Sequence, residues 1–346
     1  MATITQRGKR FTAQIRIAGY PTESETFDTR RDAKDWAARR EVEIKQLKRG
    51  IVPKYTLLQA FERYTDEVIP LHRGGKSELR RLTAMLSPLP TSRPLVDFDT
   101  DYWNTWKQRR LATPLQRDPS KKVSSGTVRR ELCDISLVFE FARRELRWII
   151  TNPLRDVVRP PSSPSRDRTI TPAEVAAMFK TLNYKRGCKI VSIGQQVGAI
   201  FDLALESGMR AGEIAGLLWE NVHLDKSYVY LPITKNGSQR DVPLRKSAVN
   251  ILFNMQGVND VEVFAPDTAT LDAYFRKARK AAGLEGFTFH DARHTAVTNI
   301  AASMKSKGLT SQAAIMDFCK IFGWKNINQA LAYFNPDPAD VAARLD

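Results

Sequence analysis

Residues 159–165 read Arg-Pro-Pro-Ser-Ser-Pro-Ser, and this run constrains the fold more than any other stretch. Each proline removes a backbone donor, fixes φ and steers the residue before it out of the helical region. No helix or central strand can cross such a run, so one continuous core cannot be built through it. The composition predicts an extended, exposed linker over 155–168. Arg159, Arg166 and Arg168 make it basic, a strap suited to a protein that wraps its ligand. A chain of 346 residues is long enough for two or three domains.

Two patterns precede the linker. Phe11, Ala13, Ile15 and Ile17 alternate with Thr12, Gln14 and Arg16, the period of a half-buried strand. Gly8-Lys9 reads as a turn before it, and Glu23–Phe27 as a further strand. Thr29 is placed to cap a helix carrying Ala33, Trp36, Ala37 and Ile44. A three-stranded sheet with one helix is therefore expected over 1–53. From 54 to 154 the apolar period becomes helical, through Leu57/Leu58/Phe61/Tyr64, then Leu79/Leu82/Met85/Leu86, Tyr102/Trp103/Trp106 and Val128/Leu132/Ile135/Val138/Phe139. These stripes predict a compact helical domain, with the aromatics as core.

Order resumes after the linker, over 169–346. Thr171-Pro172-Ala173-Glu174 combines an N-cap, a first-turn proline and a capping-box glutamate. Val197–Leu205 is a strongly apolar helical stretch. Ser227–Ile233 and Arg240–Leu244 read as strands joined through Asn236-Gly237, a hairpin signal. The remainder is helical, so the fold class is mainly α with small β-sheets.

Charge narrows the function. The formal net charge is +16, which favours a polyanionic partner, usually nucleic acid. Hydrophobic residues make up 42%, enough for sizeable cores, but no uninterrupted apolar run is long enough to span a bilayer. The N-terminal residues lack a signal-peptide apolar core, and the expected compartment is the cytoplasm, with association to the nucleoid when DNA is bound. Cys133, Cys188 and Cys319 are scattered and odd in number, which argues against a disulfide scaffold.

The densest polar stretch is Phe289-His290-Asp291-Ala292-Arg293-His294-Thr295. Positions three apart share a helix face, so His290 and Arg293 can address one target, and a guanidinium fork with an imidazole suits phosphate oxygens. Metal binding by His290 and His294 is the rival use, but no acidic or thiol cluster accompanies them. Read in order, the chain carries Ser207-Gly-Met-Arg210-Ala-Gly-Glu213, Lys235 on the hairpin, His290-Asp-Ala-Arg293, Gly323-Trp324 and Tyr333. This series resembles the tyrosine recombinases, or phage integrase family, from Thr169 to the C-terminus. The front half is similar in architecture to the arm-binding and core-binding domains of phage integrases. Ala292 stands where the family usually has a bulkier apolar residue, and Trp324 where many members carry histidine.

The resemblance implies a DNA strand-breaking and rejoining enzyme that uses neither metal nor nucleotide cofactor. Tyr333 would be the nucleophile, forming a 3′-phosphotyrosine while a 5′ hydroxyl leaves. Tyr274 fits no family position. Arg210 and Arg293 would clamp the charge that builds on the non-bridging oxygens. Lys235 would protonate the leaving oxygen, and His290 would assist the nucleophile or the phosphate. Trp324 can donate one hydrogen bond but cannot shuttle a proton, so a positional role is expected. Glu213 would orient the network, with Asp291 and His294 as capping or packing residues.

Expected DNA contacts are Lys9, Arg10 and Arg16 on the N-terminal sheet, and Lys121, Lys122, Arg129 and Arg130 around the start of the last helix of the second domain. The implied assembly is a homotetramer on double-stranded DNA, acting at core and arm sites through a four-way junction, with DNA-bending or directionality factors as possible helpers. A shufflon-type invertase is the alternative within the family, and a non-catalytic DNA-binding protein the alternative outside that activity.

Overall fold

The computed structural model describes residues 2–8, 10–18, 22–48, 55–116, 118–163, 168–232 and 239–334. The chain divides into two compact units, Met1–Ser165 and Arg166–Asp346.

The first unit begins with an antiparallel sheet, β1 (Ala2–Arg7), β2 (Arg10–Ile15) and β3 (Glu23–Phe27), ordered β1-β2-β3. The predicted alternation is realised. Ala13 and Ile15 are buried, and Ala13 packs with Ala33 and Ala37 of α1 (Arg30–Lys48). Thr29 caps that helix, its Oγ1 accepting the Asp32 amide at 3.1 Å. The four helical stripes become α2 (Leu57–Glu67), α3 (Gly75–Leu86), α4 (Thr100–Ala112) and α5 (Ser125–Arg144). Trp103, Leu82, Leu132 and Phe139 meet in their shared core, so the aromatics there are structural.

Two expectations for this unit need correction. The stretch before α5 is not helical throughout: β4 (Pro114–Leu115) and β5 (Asp118–Lys122) form a short hairpin. Pro114 and Pro119 deny it helical hydrogen bonds, and its mostly exposed side chains give a helix no face to bury. The linker, in turn, is exposed at most positions of its first half but anchored at two of them. Val157 and Pro160 are buried, the Val158 carbonyl accepts from Lys107 Nζ, and the Pro160 carbonyl accepts from Arg129 Nη1, both at 3.0 Å. Proline removes donors but not acceptors, so neighbouring cations can fasten an otherwise irregular segment. Residues 164–167 lie outside the described residues.

The second unit opens with the anticipated capping box. Thr171 Oγ1 accepts from the Glu174 amide, and Glu174 from the Thr171 amide, at the start of α6 (Pro172–Thr181). At its centre is α7 (Ile193–Ser207), apolar on nearly all sides, with Val197, Ile200, Phe201 and Leu203 at 0% exposure. Its one buried carboxylate, Asp202, accepts from Tyr184 Oη at 3.0 Å and Arg186 Nε at 2.8 Å. Then come α8 (Ala211–Ala215), the sheet β6 (Val222–His223), β7 (Tyr228–Leu231) and β8 (Arg240–Pro243), and α9 (Lys246–Phe253). The hairpin strands are those expected, and β6 is an added edge.

The unit ends with α10 (Thr268–Ala281), α11 (His290–Ser306), α12 (Gln312–Phe322) and α13 (Asn328–Phe334). Ile170, just past the linker, is latched to α11 by its amide donating to Thr295 Oγ1 at 2.8 Å. Arg168 donates to the Glu285 carbonyl at 3.2 Å, pairs with Glu174 and covers the Phe287 ring at 5.0 Å. Among the described residues no helix is long and apolar enough to cross a membrane.

Candidate active site

Two helices of the second unit end alike. α7 stops at Gly208 and α12 at Gly323, both left-handed with φ +66° and +65°, a conformation open to glycine at little cost. Helix ends leave carbonyls without intrahelical donors and carry partial negative charge. Arg293 on α11 serves both ends: Nη1 donates to the Gly208 carbonyl and Nη2 to the Phe322 carbonyl, each at 2.6 Å. The guanidinium is thereby aimed and buried, at 5% exposure, with neutral oxygens as its hydrogen-bond partners. Burial lowers its pKa to about 9, the positive charge of Arg210 adds to this, and Glu213 opposes it. It stays charged at neutral pH, in surroundings that favour an anion.

Arg210 precedes α8. The Glu213 carboxylate reaches back to accept from the Arg210 amide at 2.8 Å and from Arg210 Nη1 at 2.9 Å. The same carboxylate accepts both ends of the Arg240 fork from β8, at 2.9 and 2.8 Å. Burial pushes the Glu213 carboxyl up, but Arg240 and the Arg210 amide and side chain outweigh it and hold its pKa at about 2. One carboxylate therefore orders two guanidiniums, those of Arg210 and Arg240, without neutralising both.

These residues border an open cavity of about 370 Å³, lined by Arg210, His290, Arg293, His294, Val297, Trp324, Gln329 and Tyr333. Five of the six expected catalytic residues thus share one wall. The sixth, Lys235, lies outside the described residues. His290 keeps an exposed edge, yet partial desolvation of the ring, followed by Arg293, lowers its pKa against the opposing charge of Asp291. The Asp291 carboxylate folds back to accept from the Thr288 amide at 2.6 Å, a capping arrangement. Tyr333 projects from α13 with its ring stacked on Trp324, centroids 5.8 Å apart and planes 22° apart. Trp324 also packs on Phe318 and Phe322. Burial raises the Tyr333 pKa, and Arg293 opposes the rise. The phenol is therefore neutral at rest. Tyr274 is exposed on α10 and does not line the cavity.

His294, expected as a capping or packing residue, also lines the cavity and meets the tyrosine. Tyr333 Oη lies 3.2 Å from His294 Nδ1 and 3.5 Å from Nε2. Arg240 and Gln329 were also missed. For Arg240 a signal existed: it shares the inward face of β8 with the buried Val242, where an arginine needs a carboxylate partner. His294 carried none, because its neighbour arrives from 39 residues away.

The basic residues of the first unit are spread over two places. Arg10 is on β2, paired with Asp28 at 3.1 Å, and Arg16 follows the strand at an exposed position. Lys9 lies outside the described residues. Lys121 and Lys122 are exposed on β5 rather than on the helix start, with Lys121 3.0 Å from Asp118. Arg129 and Arg130 are in the first turns of α5. Among the described residues no group of three or more His, Cys, Asp or Glu is arranged to hold a metal, and the three cysteines are free.

A cavity walled by two arginines, two imidazoles and a tyrosine hydroxyl can bind a phosphate diester and attack it. Comparison with known proteins places the chain in a family. A sequence profile described as the Phage integrase family matches residues 168–339. A putative integrase/recombinase of Haemophilus influenzae is 31% identical over 350 residues, covering 98% of this chain and 89% of that protein. A shufflon-specific DNA recombinase of Escherichia coli is 30% identical over 295 residues, covering 85% and 73% respectively. In fold, the chain is similar to a lambda integrase tetramer bound to a Holliday junction, with TM-score 0.61 at 17% identity over 94% of this chain and 96% of that one.

Proposed function

Since the chain belongs to the phage integrase family of tyrosine site-specific recombinases, we propose that it acts as a phage or genomic-island integrase on double-stranded DNA. The observation that carries the mechanism is the shared cavity of Arg210, Arg293 and Tyr333. Tyr333 Oη attacks the phosphorus, the bond to the 5′ oxygen breaks, and a 3′-phosphotyrosine forms. The ester keeps the bond energy of the strand, so a 5′ hydroxyl from the partner duplex can reverse the step. Arg210 and Arg293 hold the two non-bridging oxygens as charge builds there. Glu213 fixes the reach of Arg210, His290 assists at the phosphate, Trp324 holds the ring of Tyr333, and Lys235 supplies the proton for the leaving oxygen.

The assembly follows from the same reading. Four copies bind two DNA segments and exchange strands in pairs through a four-way junction, the state in which the similar lambda integrase structure was captured. Residues 54–154 and 169–346 bind the core site, with Lys121, Lys122, Arg129 and Arg130 on phosphates. Residues 1–53, with Lys9, Arg10 and Arg16, bind an arm site. Holding both sites raises effective concentration without new contacts. DNA-bending and directionality factors complete the complex, which works at the nucleoid. In the tail after Tyr333, residues 335–346 lie outside the described residues.

The test is a nicked suicide duplex carrying the DNA that flanks the gene. The wild-type chain should form a covalent adduct and Tyr333→Phe none; absence of any wild-type adduct would identify a non-catalytic DNA-binding protein. The similarity to the shufflon recombinase supports inversion as the second reading. Repeated attachment sequences flanking the gene mean integration, and inverted repeats between gene segments mean inversion.

A further inference from the structure

We propose that His294 is the proton acceptor for the nucleophile Tyr333. This rests on the recombinase reading of the cavity and assigns a group that reading leaves open. The phenol must lose its proton as its oxygen bonds to phosphorus, and a base must stand within hydrogen-bond reach of that oxygen. His294 Nδ1 is 3.2 Å from Tyr333 Oη, and both side chains line the same cavity.

The other bases are committed elsewhere. Glu213 is taken by Arg210 and Arg240, and Asp291 folds onto Thr288. The titratable and charged groups lining the cavity with His294 are Arg210, His290, Arg293 and Tyr333, with no carboxylate among them. His290 is one helical turn before His294 on α11, and no hydrogen bond joins it to Tyr333 among the described contacts. Burial keeps the Tyr333 phenol protonated at rest, so a proton acceptor has work to do.

The step balances. The Tyr333 Oη–H proton passes to His294 Nδ1 while the Oη–P bond forms. The P–O5′ bond breaks, and its oxygen takes a proton from the general acid assigned above to Lys235. In the rejoining step an incoming 5′ hydroxyl returns its proton to Lys235 as its oxygen attacks phosphorus, the Oη–P bond breaks, and the His294 imidazolium returns its proton to Tyr333. The nearer nitrogen, Nδ1, accepts, so the resting ring carries its hydrogen on Nε2.

The experiment uses the full chain and two readouts. With ¹⁵N-labelled histidine and no DNA, Tyr333→Phe should move the His294 ring resonances; unchanged resonances would overturn the contact. On the nicked duplex made from the DNA flanking the gene, His294→Gln should bind as tightly as wild type yet form adduct about 100-fold more slowly. Glutamine can hold the hydroxyl but cannot take up its proton, so a full-rate His294→Gln would reduce His294 to a positioning residue and overturn the proposal. A duplex with a 5′-bridging sulfur, whose leaving thiolate needs no acid, should restore Lys235→Ala and leave His294→Gln slow; rescue of both would also overturn it. No adduct from the wild-type chain would instead sink the recombinase reading, and this inference with it.

Discussion

Glu213 and Arg240 face each other through two parallel hydrogen bonds of 2.9 and 2.8 Å, with both side chains buried. The pair joins β8, at the foot of the hairpin, to the turn that presents Arg210. Breaking it leaves a buried carboxylate short of a partner. Arg240→Met is expected to cost about 3–5 kcal/mol in urea denaturation. Arg240→Lys should recover only part, because an ammonium cannot make the parallel pair. A methionine variant as stable as wild type would show that the pair is not what holds this corner.

The same carboxylate sets an acid limit. Its folded pKa of about 2 is below its ordinary 4.5, so its stabilisation is present above 4.5 and is lost as pH falls toward 2. The amount is on the order of 3 kcal/mol. Stability measured across this window should fall more steeply for wild type than for Glu213→Gln. Parallel curves would contradict the assignment.

Gly208 and Gly187 separate two reasons for glycine. Both have positive φ, +66° and +79°, but a Cβ on Gly187 would meet nothing within 4 Å, while one on Gly208 would come 2.3 Å from the Phe322 ring. Gly187→Ala should cost about 1 kcal/mol of backbone strain. Gly208→Ala should cost about 1–3 kcal/mol more. It should also slow adduct formation, since the Gly208 carbonyl aims Arg293. Equal losses in chemical denaturation would argue against the close approach.

Lys122 is exposed on β5 and is assigned to a phosphate. Binding to duplex DNA should weaken steeply with salt as counterions are released. Lys122→Ala should reduce the slope of log K against log salt by about 1, with little change in sequence preference. An unchanged slope in a filter-binding or fluorescence titration would place Lys122 off the DNA.

Much of the fold was legible in local patterns. The alternation at Ala13 and Ile15, the box at Thr171 and Glu174, and the strands around Asn236-Gly237 each involve residues close in sequence. The β4–β5 hairpin was not, because β4 is only two residues long, β5 is exposed along nearly all its length and shows no apolar period, and the prolines there mark only where a helix stops. The anchoring of the linker was not legible, because its fastenings come from other elements, Lys107 on α4 and Arg129 on α5.

The same division runs through the site. By itself the sequence marked the family, through the order of Arg210, His290, Arg293 and Tyr333, residue types suited to attack on a phosphate. It also determined where the chain breaks, since proline and serine run against regular structure wherever they cluster. The tertiary structure alone decided which groups meet. It placed His294 rather than His290 against Tyr333, ended Arg293 on two helix carbonyls, and brought Arg240 to Glu213. Local periodicity reports which face of an element is buried, whereas a contact between residues 39 apart depends on how separate helices pack.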